Sequence, residues 1–393
     1  MVAVIARRFG LAHMEIAEDI VGETFLTAAE KWETEGIPPN PAAWLYVVAK
    51  QKAIAHFRRA KRHKNKIAEL ALSQPEMTSD TEPDFSAPGI RDSQLAMIFA
   101  VCNPVIQSEA QIGLALRILC GFGIDEIAEA FFSNKETINK RLFRAKEKLR
   151  AENVVLELPP AAEIAVRLES VLRVIYLLFN EGYYSRTQNV TLRRDFCYEA
   201  LRLGTALCEY APTRLPQTYA LVALMCFHAS RIDARENHSN ALVLYQEQDV
   251  SLWDRGLIAQ GSHFLSLAAT GEQLTTYHLE AGIAYWHCVR DDTQEKWRSI
   301  LDHYDRLLKL QYSPGAELNR IYAFSQVHGK TQALAQLESL RFPEDRFYYI
   351  LVAELCENVD KPRARASLEK ALELARTEGE KHEIRKKITA LQN

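Results

Sequence analysis

The chain has 393 residues, a formal net charge of −3, 48% hydrophobic and 25% charged residues, the balance of a soluble globular protein with room for two or three domains. No run reaches the roughly 18 apolar residues that span a bilayer, and charged residues interrupt the N-terminal stretch too early for a secretory signal. The seven cysteines (Cys102, Cys120, Cys197, Cys208, Cys226, Cys288 and Cys356) are scattered without a C-x-x-C pair. They read as reduced core thiols, with the cytoplasm as the expected location.

Strand patterns are nearly absent and helical periodicity runs almost throughout, so the expected fold class is all-α. Residues 1–72 read as a first helical unit. Within it, a helix over about 14–32 turns Ile16, Ile20, Phe25 and Trp32 inward and Glu15, Glu18, Asp19 and Glu23 outward. Such an acidic face suits a basic protein surface, although acids early in a helix also favour the dipole and need no partner. Asn40-Pro41 then starts a second helix, Asn as cap and Pro at the first position. Trp44, Leu45, Val48, Ile54 and Phe57 anchor it, while residues 50–66 carry eight Lys/Arg and no acid. Basic side chains there can neutralise phosphates, with aromatic rings nearby to stack on bases; a solvated amphipathic end is the plainer reading.

Residues 73–92, with Pro75, Pro83 and Pro88 and five acids over 76–92, have linker composition. Residues 93–152 read as a second helical unit. Its Ile124, Ile127, Ala128 and Phe131 form the apolar face of one short helix, and Ser133 with Glu136 offers a capping box for the next. That helix, roughly 134–150, buries Ile138, Leu142, Ala145 and Leu149 and exposes Lys135, Asn139, Lys140, Arg144, Lys146 and Lys148. The pair has the pattern of a helix-turn-helix whose second helix enters a major groove; a basic, solvated hairpin is the alternative. The two basic patches, parted by an acidic stretch, point to two separate polyanion contacts.

After Pro159-Pro160, helices fill residues 160–393. Those near 297–310, 316–328, 330–340, 345–357, 361–376 and 380–391 read as antiparallel pairs. Their similar Leu-rich ends at Leu310, Leu340 and Leu374 fall 30 and 34 residues apart, close to the tetratricopeptide (TPR) period. Asn180, Glu181, Asp249 and Trp253, with His228, are either a pocket for an unidentified ligand or partner, or caps and interhelix hydrogen bonds. There is no H-E-x-x-H, Walker loop or G-x-S-x-G, so no catalytic residue, cofactor or metal is assigned. Two rival readings stay open: a helix-turn-helix regulator with a helical sensor domain, and an enzyme with its site in residues 160–393.

Several stretches resemble one family. AEDIVGETFLTAAEKW resembles region 2.2 of the extracytoplasmic-function RNA polymerase sigma factors, NPAAWLYVVAKQKAIAHFRR resembles regions 2.3–2.4, and IDEIAEAFFSNKETINKRLFRAKEKLR resembles region 4.2. LLFNEGYY, EQDVSLWDRGLI and LNRIYAFSQVHG resemble the subgroup with a long TPR-like C-terminal domain, the SigI-like or DUF6596 group. The resemblance implies a dissociable polymerase subunit without catalysis of its own, whose partners are core RNA polymerase and promoter DNA, with no membrane. It implies that Glu18, Asp19, Glu23 and Phe25 meet the β′ clamp helices. Lys50, Gln51, Lys52, Arg58, Arg59, Lys61 and Arg62 would serve the −10 element, and the loop 33–40 would capture a flipped base. Lys135, Thr137, Asn139, Lys140, Arg141, Arg144, Lys146 and Lys148 would serve the −35 element. Gly22 stands where the family has Gln, Gln51 where it has Asn, His56 where it has Asp, and Ser133-Asn134 where it has an apolar-Pro pair. The C-terminal domain is expected to regulate or complete the other two.

Overall fold

A computed structural model describes the chain except for residues 11–13, 69–82, 132, 184–192, 236–242, 244, 341–344, 358, 376–377 and 392–393; the side chains of residues 8, 60–68, 129–130 and 246 also lie outside the description. The described residues are helical and contain no strand. They form two compact units, Met1–Val174 and Ile175–Asn393. The stretches read from sequence as separate first and second helical parts therefore share one unit.

The first unit holds α1 (Val2–Phe9), α2 (Met14–Glu35), α3 (Pro41–Ala68), α4 (Ala87–Val101), α5 (Ser108–Leu114), α6 (Ile124–Ala130) and α7 (Lys135–Ala151), with a π-helical turn at Ala115–Leu119 after α5. Helix α4 is its centre. Leu95 to Val101 are buried without a break, as a helix that is apolar all round must be, and α1 and the π-turn pack on it. Helix α4 also begins inside the stretch read as linker. The Ser86 hydroxyl accepts from the Gly89 N–H at 3.1 Å, and Pro88 in the first turn forfeits no helical hydrogen bond.

Helix α2 corrects one expectation. Its buried stripe is Met14, Ala17, Ile20, Thr24 and Ala28, and Phe25 stands 51% exposed. One residue is about 100° of rotation, so burying Thr24 swings Phe25 off the core. The Thr24 hydroxyl is satisfied inside the helix by donating to the Ile20 carbonyl at 2.7 Å.

Helix α8 (Ala161–Tyr183) carries the division, with residues up to Val174 in the first unit and those from Ile175 in the second. The second unit continues with α9 (Arg194–Glu209), α10 (Pro216–Ala229), two 3-10 turns at Tyr245–Glu247 and Val250–Leu252, α11 (Arg255–Ala268) and α12 (Thr276–Cys288). Helix α10 is the buried centre, packed by α9, α11 and α12. Gly182, in the F-N-E-G-Y stretch, sits where a Cβ would meet the Arg193 carbonyl at 2.6 Å and the Phe196 Cβ at 2.8 Å, so only glycine lets α8 end this close to α9.

Next come α13 (Gln294–Leu310), α14 (Pro314–His328), α15 (Lys330–Ser339), α16 (Arg346–Cys356), α17 (Lys361–Leu374) and α18 (Glu378–Ala390). Each packs on its chain neighbour, and the short connections make consecutive helices antiparallel. Side-chain caps set the starts: Thr293, Ser313 and Asp360 each accept from a backbone N–H of the first turn. A continuous core of Leu318, Ile321, Leu337, Leu355, Leu368 and Ile384 runs through α14 to α18, as stacked helical hairpins require. No described helix is long and apolar enough to cross a membrane, and all seven cysteines are unbridged.

Candidate protein and nucleic-acid interfaces

Helices α2 and α3 pack on one another with the Trp32 and Trp44 rings 5.4 Å apart. Between them, Gly36 adopts φ 82° and its N–H donates to the Trp32 carbonyl at 3.1 Å, ending α2. Asn40 Oδ1 accepts from the Ala43 N–H at 3.0 Å and opens α3. The short loop between presents Ile37, 72% exposed. On α3, Gln51, Arg58 and Arg59 are exposed, while Lys50 and Lys52 are half-buried. The side chains of Lys61 and Arg62 lie outside the described set.

The acidic residues of α2 divide into two groups. Asp19 and Glu23 are exposed beside Phe25 and Leu26, with Glu23 3.4 Å from Lys52. Glu18 faces the other way: one carboxylate oxygen accepts from Lys146 Nζ at 3.1 Å, and the other lies 3.8 Å from Arg117 Nε. Glu15 pairs with Arg150 and lies 3.8 Å from Lys146. Helix α7 therefore grips α2 through two of its cations.

This changes the reading of α7. Its cap is Asn134, whose side chain accepts from the Thr137 N–H at 2.8 Å, and not Ser133. The buried stripe is Ile138, Leu142, Ala145 and Leu149, as the periodicity predicts. Lys135, Thr137, Asn139, Lys140, Arg144 and Lys148 are exposed. Lys135 and Lys140 bridge to Asp125 and Glu136, and the half-buried Arg141 bridges to Glu109 at 3.0 Å. Lys146 departs from expectation, because its side chain is only 11% exposed and committed to α2.

In the second unit, Asn180 and Glu181 are half-buried on α8, and burial pushes the Glu181 carboxyl up from its ordinary range. Asp249 is exposed and accepts from the Ser251 N–H at 2.8 Å, a contact with Ser251 that holds its carboxyl low. Trp253 points inward and is 5% exposed. Among the described residues, no hydrogen bond or ion pair joins Asn180 or Glu181 to Asp249 or Trp253. The neighbours of Trp253 are residues that sequence patterns did not single out: Tyr245, with ring centroids 6.3 Å apart, and Arg231, whose guanidinium carbon lies 6.0 Å from the Trp253 ring. The available signal was a lysine, Lys296, beside the buried stripe Trp297, Ile300 and Leu301.

Residues 1–63, spanning α1 to α3, match sigma-70 region 2, and residues 167–269 match a family of unknown function, DUF6596. An uncharacterized protein of Rhizobium meliloti (strain 1021) is 32% identical over 390 residues, covering 96% of this chain and 90% of that protein. No solved structure matches. The pairing of region 2 with this C-terminal domain places the chain in a family that binds core RNA polymerase and promoter DNA in transcription initiation: it belongs to the extracytoplasmic-function sigma factors that carry a DUF6596 domain.

Proposed function

We propose that the chain directs core RNA polymerase to particular promoters, with α2 meeting the β′ clamp helices, the basic end of α3 serving the −10 element and α7 serving the −35 element. The observation that supports this reading is the sorting of exposed side chains. Asp19, Glu23 and Phe25 stand together on α2, Gln51, Arg58 and Arg59 on α3, and Lys140, Arg144 and Lys148 on α7. An apolar ring flanked by acids suits a basic protein helix, whereas surfaces on which cations outnumber acids, such as the end of α3 and the exposed side of α7, suit phosphates.

The pairing of Glu18 with Lys146 adds a condition. Both side chains are more than four-fifths buried, so Glu18 is unavailable to another protein until α7 lets go. Engagement of Glu18 by polymerase therefore requires the first unit to open, and the described arrangement is the closed form. The C-terminal helical unit, covalently attached through α8, regulates or supports these steps.

The test is core-dependent transcription from cognate promoters by the full chain. Asp19→Lys with Glu23→Lys should abolish co-purification with core while leaving thermal unfolding unchanged. Arg144→Ala should weaken −35 duplex binding, lowering the salt slope by about one if it contacts a phosphate, and Arg58→Ala should affect −10 binding or opening. Unchanged core binding by the double reversal would refute the assignment of α2.

A further inference from the structure

The second unit contains a buried positive cluster with no buried acid paired to it among the described residues. Arg231 is 6% and Lys296 1% exposed. Both lie against one ring, Tyr245, with the Arg231 guanidinium carbon 5.5 Å and Lys296 Nζ 5.4 Å from its centroid. Lys296 is provided for: it donates to Tyr245 Oη and to the Val289 carbonyl, each at 3.1 Å, with Asp292 3.6 Å away. That Asp292 is 66% exposed, so it belongs to the rim.

Arg231 has no such provision. Its side chain makes no hydrogen bond and no ion pair with any described residue; its neighbours are the faces of Tyr245 and Trp253. Its Nε is buried without a partner, and so are Trp253 Nε1, His287 Nδ1 and Gln248 Oε1. A buried guanidinium loses its water shell, and aromatic faces offset only part of that loss. Buried polar atoms ordinarily have partners; here Arg231 Nε, Trp253 Nε1 and His287 Nδ1, all on residues beside Tyr245, lack one together, while Gln248 Oε1 is an unpaired acceptor. His287 stacks edge-on to Tyr245 at 5.0 Å and is held neutral, its pKa lowered to about 3 by burial and by the neighbouring Arg231 and Lys296 charges. A neutral imidazole in an uncompensated positive field can donate to an anion without adding to the repulsion.

We infer that Arg231, Lys296, Tyr245, Trp253 and His287 form a binding site for the oxyanion group, carboxylate or phosphate, of a small molecule. The guanidinium fork matches two oxygens of either group, the indole and imidazole supply neutral N–H donors, and the aromatic rings would pack the body of the ligand. A metal ion is the wrong charge for this cluster. The inference concerns the second unit alone and stands apart from the reading of α2, α3 and α7.

The experiment is a thermal-melt titration of the full chain with inorganic phosphate and with benzoate, against chloride at equal ionic strength. Ligand that binds only the folded form raises the melting temperature with concentration. At least one anion should do so saturably, half-saturating below about 1 mM, and Arg231→Met should lose the response. Response to phosphate alone assigns a phosphate group; response to benzoate alone assigns a carboxylate. If Arg231→Met does not fold, Arg231→Lys keeps the charge without the fork and should weaken the response at least about tenfold. No saturable shift beyond chloride with either anion, or an undiminished shift in the variant, overturns the proposal.

Discussion

Replacing Lys146 by methionine should destabilise the first unit and at the same time tighten its binding to core polymerase. The side chain of Lys146 is 11% and that of Glu18 19% exposed, with Nζ and carboxylate oxygen 3.1 Å apart. Exposed ion pairs are worth about 0.2–1 kcal/mol, and breaking a fully buried one costs about 3–5 kcal/mol. This pair lies between, so the loss should be about 2 kcal/mol, and methionine preserves most of the apolar stem. A 2 kcal/mol change is about thirty-fold in an equilibrium constant. If polymerase binds only the opened unit, the apparent Kd falls by up to that factor wherever the closed form dominates.

The two effects have opposite signs, which makes them diagnostic. Urea unfolding measures the first, and fluorescence anisotropy of the labelled full chain with core enzyme measures the second. A double-mutant cycle with Glu18→Gln should return a coupling above about 1 kcal/mol, since the partners are in direct contact. Lower stability with weaker core binding would refute the opening argument. Additive single mutants with unchanged stability would show that the pair contributes nothing.

In the second unit, His287 (down to about 3) and His228 are kept neutral chiefly by burial. They protonate more readily unfolded, so stability is held above about pH 6.5 and falls toward pH 3, by up to ~1.4 kcal/mol per pH unit for each group. Glu280, raised by burial to about 7, has the opposite sign, its stabilisation being lost as pH rises from 4.5 through 7; Glu280→Gln should therefore steepen the acid limb of a melting-temperature profile between pH 4.5 and 6.5, and an unchanged slope would contradict it. Gly182→Ala should destabilise by about 1–3 kcal/mol, because its Cβ would meet backbone at 2.6 Å; chemical unfolding checks this, and a neutral result would mean α9 moves freely. Asn134→Ala should cost about 1 kcal/mol through loss of the α7 cap, while Ser133→Ala should be close to neutral, which thermal melts of the two variants would compare.

Local signals carried further than long-range ones. The predicted helices at 297–310, 316–328 and 361–376 lie within a few residues of α13, α14 and α17, because amphipathic periodicity and Ser, Thr or Asp caps act over a single turn. The cap of α7 differs from the sequence expectation by one residue: Ser133 fits a capping box with Glu136, but Asn134 is the residue that accepts from the Thr137 N–H. Phe25 was misplaced because an apolar residue at the border of a stripe can go either way. Asp249 and Trp253 read from sequence as parts of one candidate pocket, yet one caps a turn in solvent and the other is buried. Lys296 left only a faint signal beside the apolar stripe of α13 and Arg231 left none, since what matters about them is that no described acid is buried against them.

The charge pattern of α7 shows where sequence reading stops. Seven cations in residues 135–150 read as one basic surface, but a helix turns about 100° per residue. Lys140, Arg144 and Lys148 recur every fourth residue and share a side; Lys146, two residues past Arg144, lies about 200° of rotation away. The first group is exposed, and Lys146 with Arg150 faces α2. One helix thus presents two surfaces. Under the proposed assignment, duplex DNA on the Arg144 side would leave the pair with Glu18 intact, whereas polymerase at Glu18 would have to break it. It follows that Lys146→Met should alter core affinity and leave affinity for isolated −35 duplex within about twofold, apart from the loss of one long-range charge. Arg144→Ala should do the reverse. If Lys146→Met weakened duplex binding as much as Arg144→Ala, Lys146 would be reading DNA from an opened unit, and the assignment of two separate faces would fail.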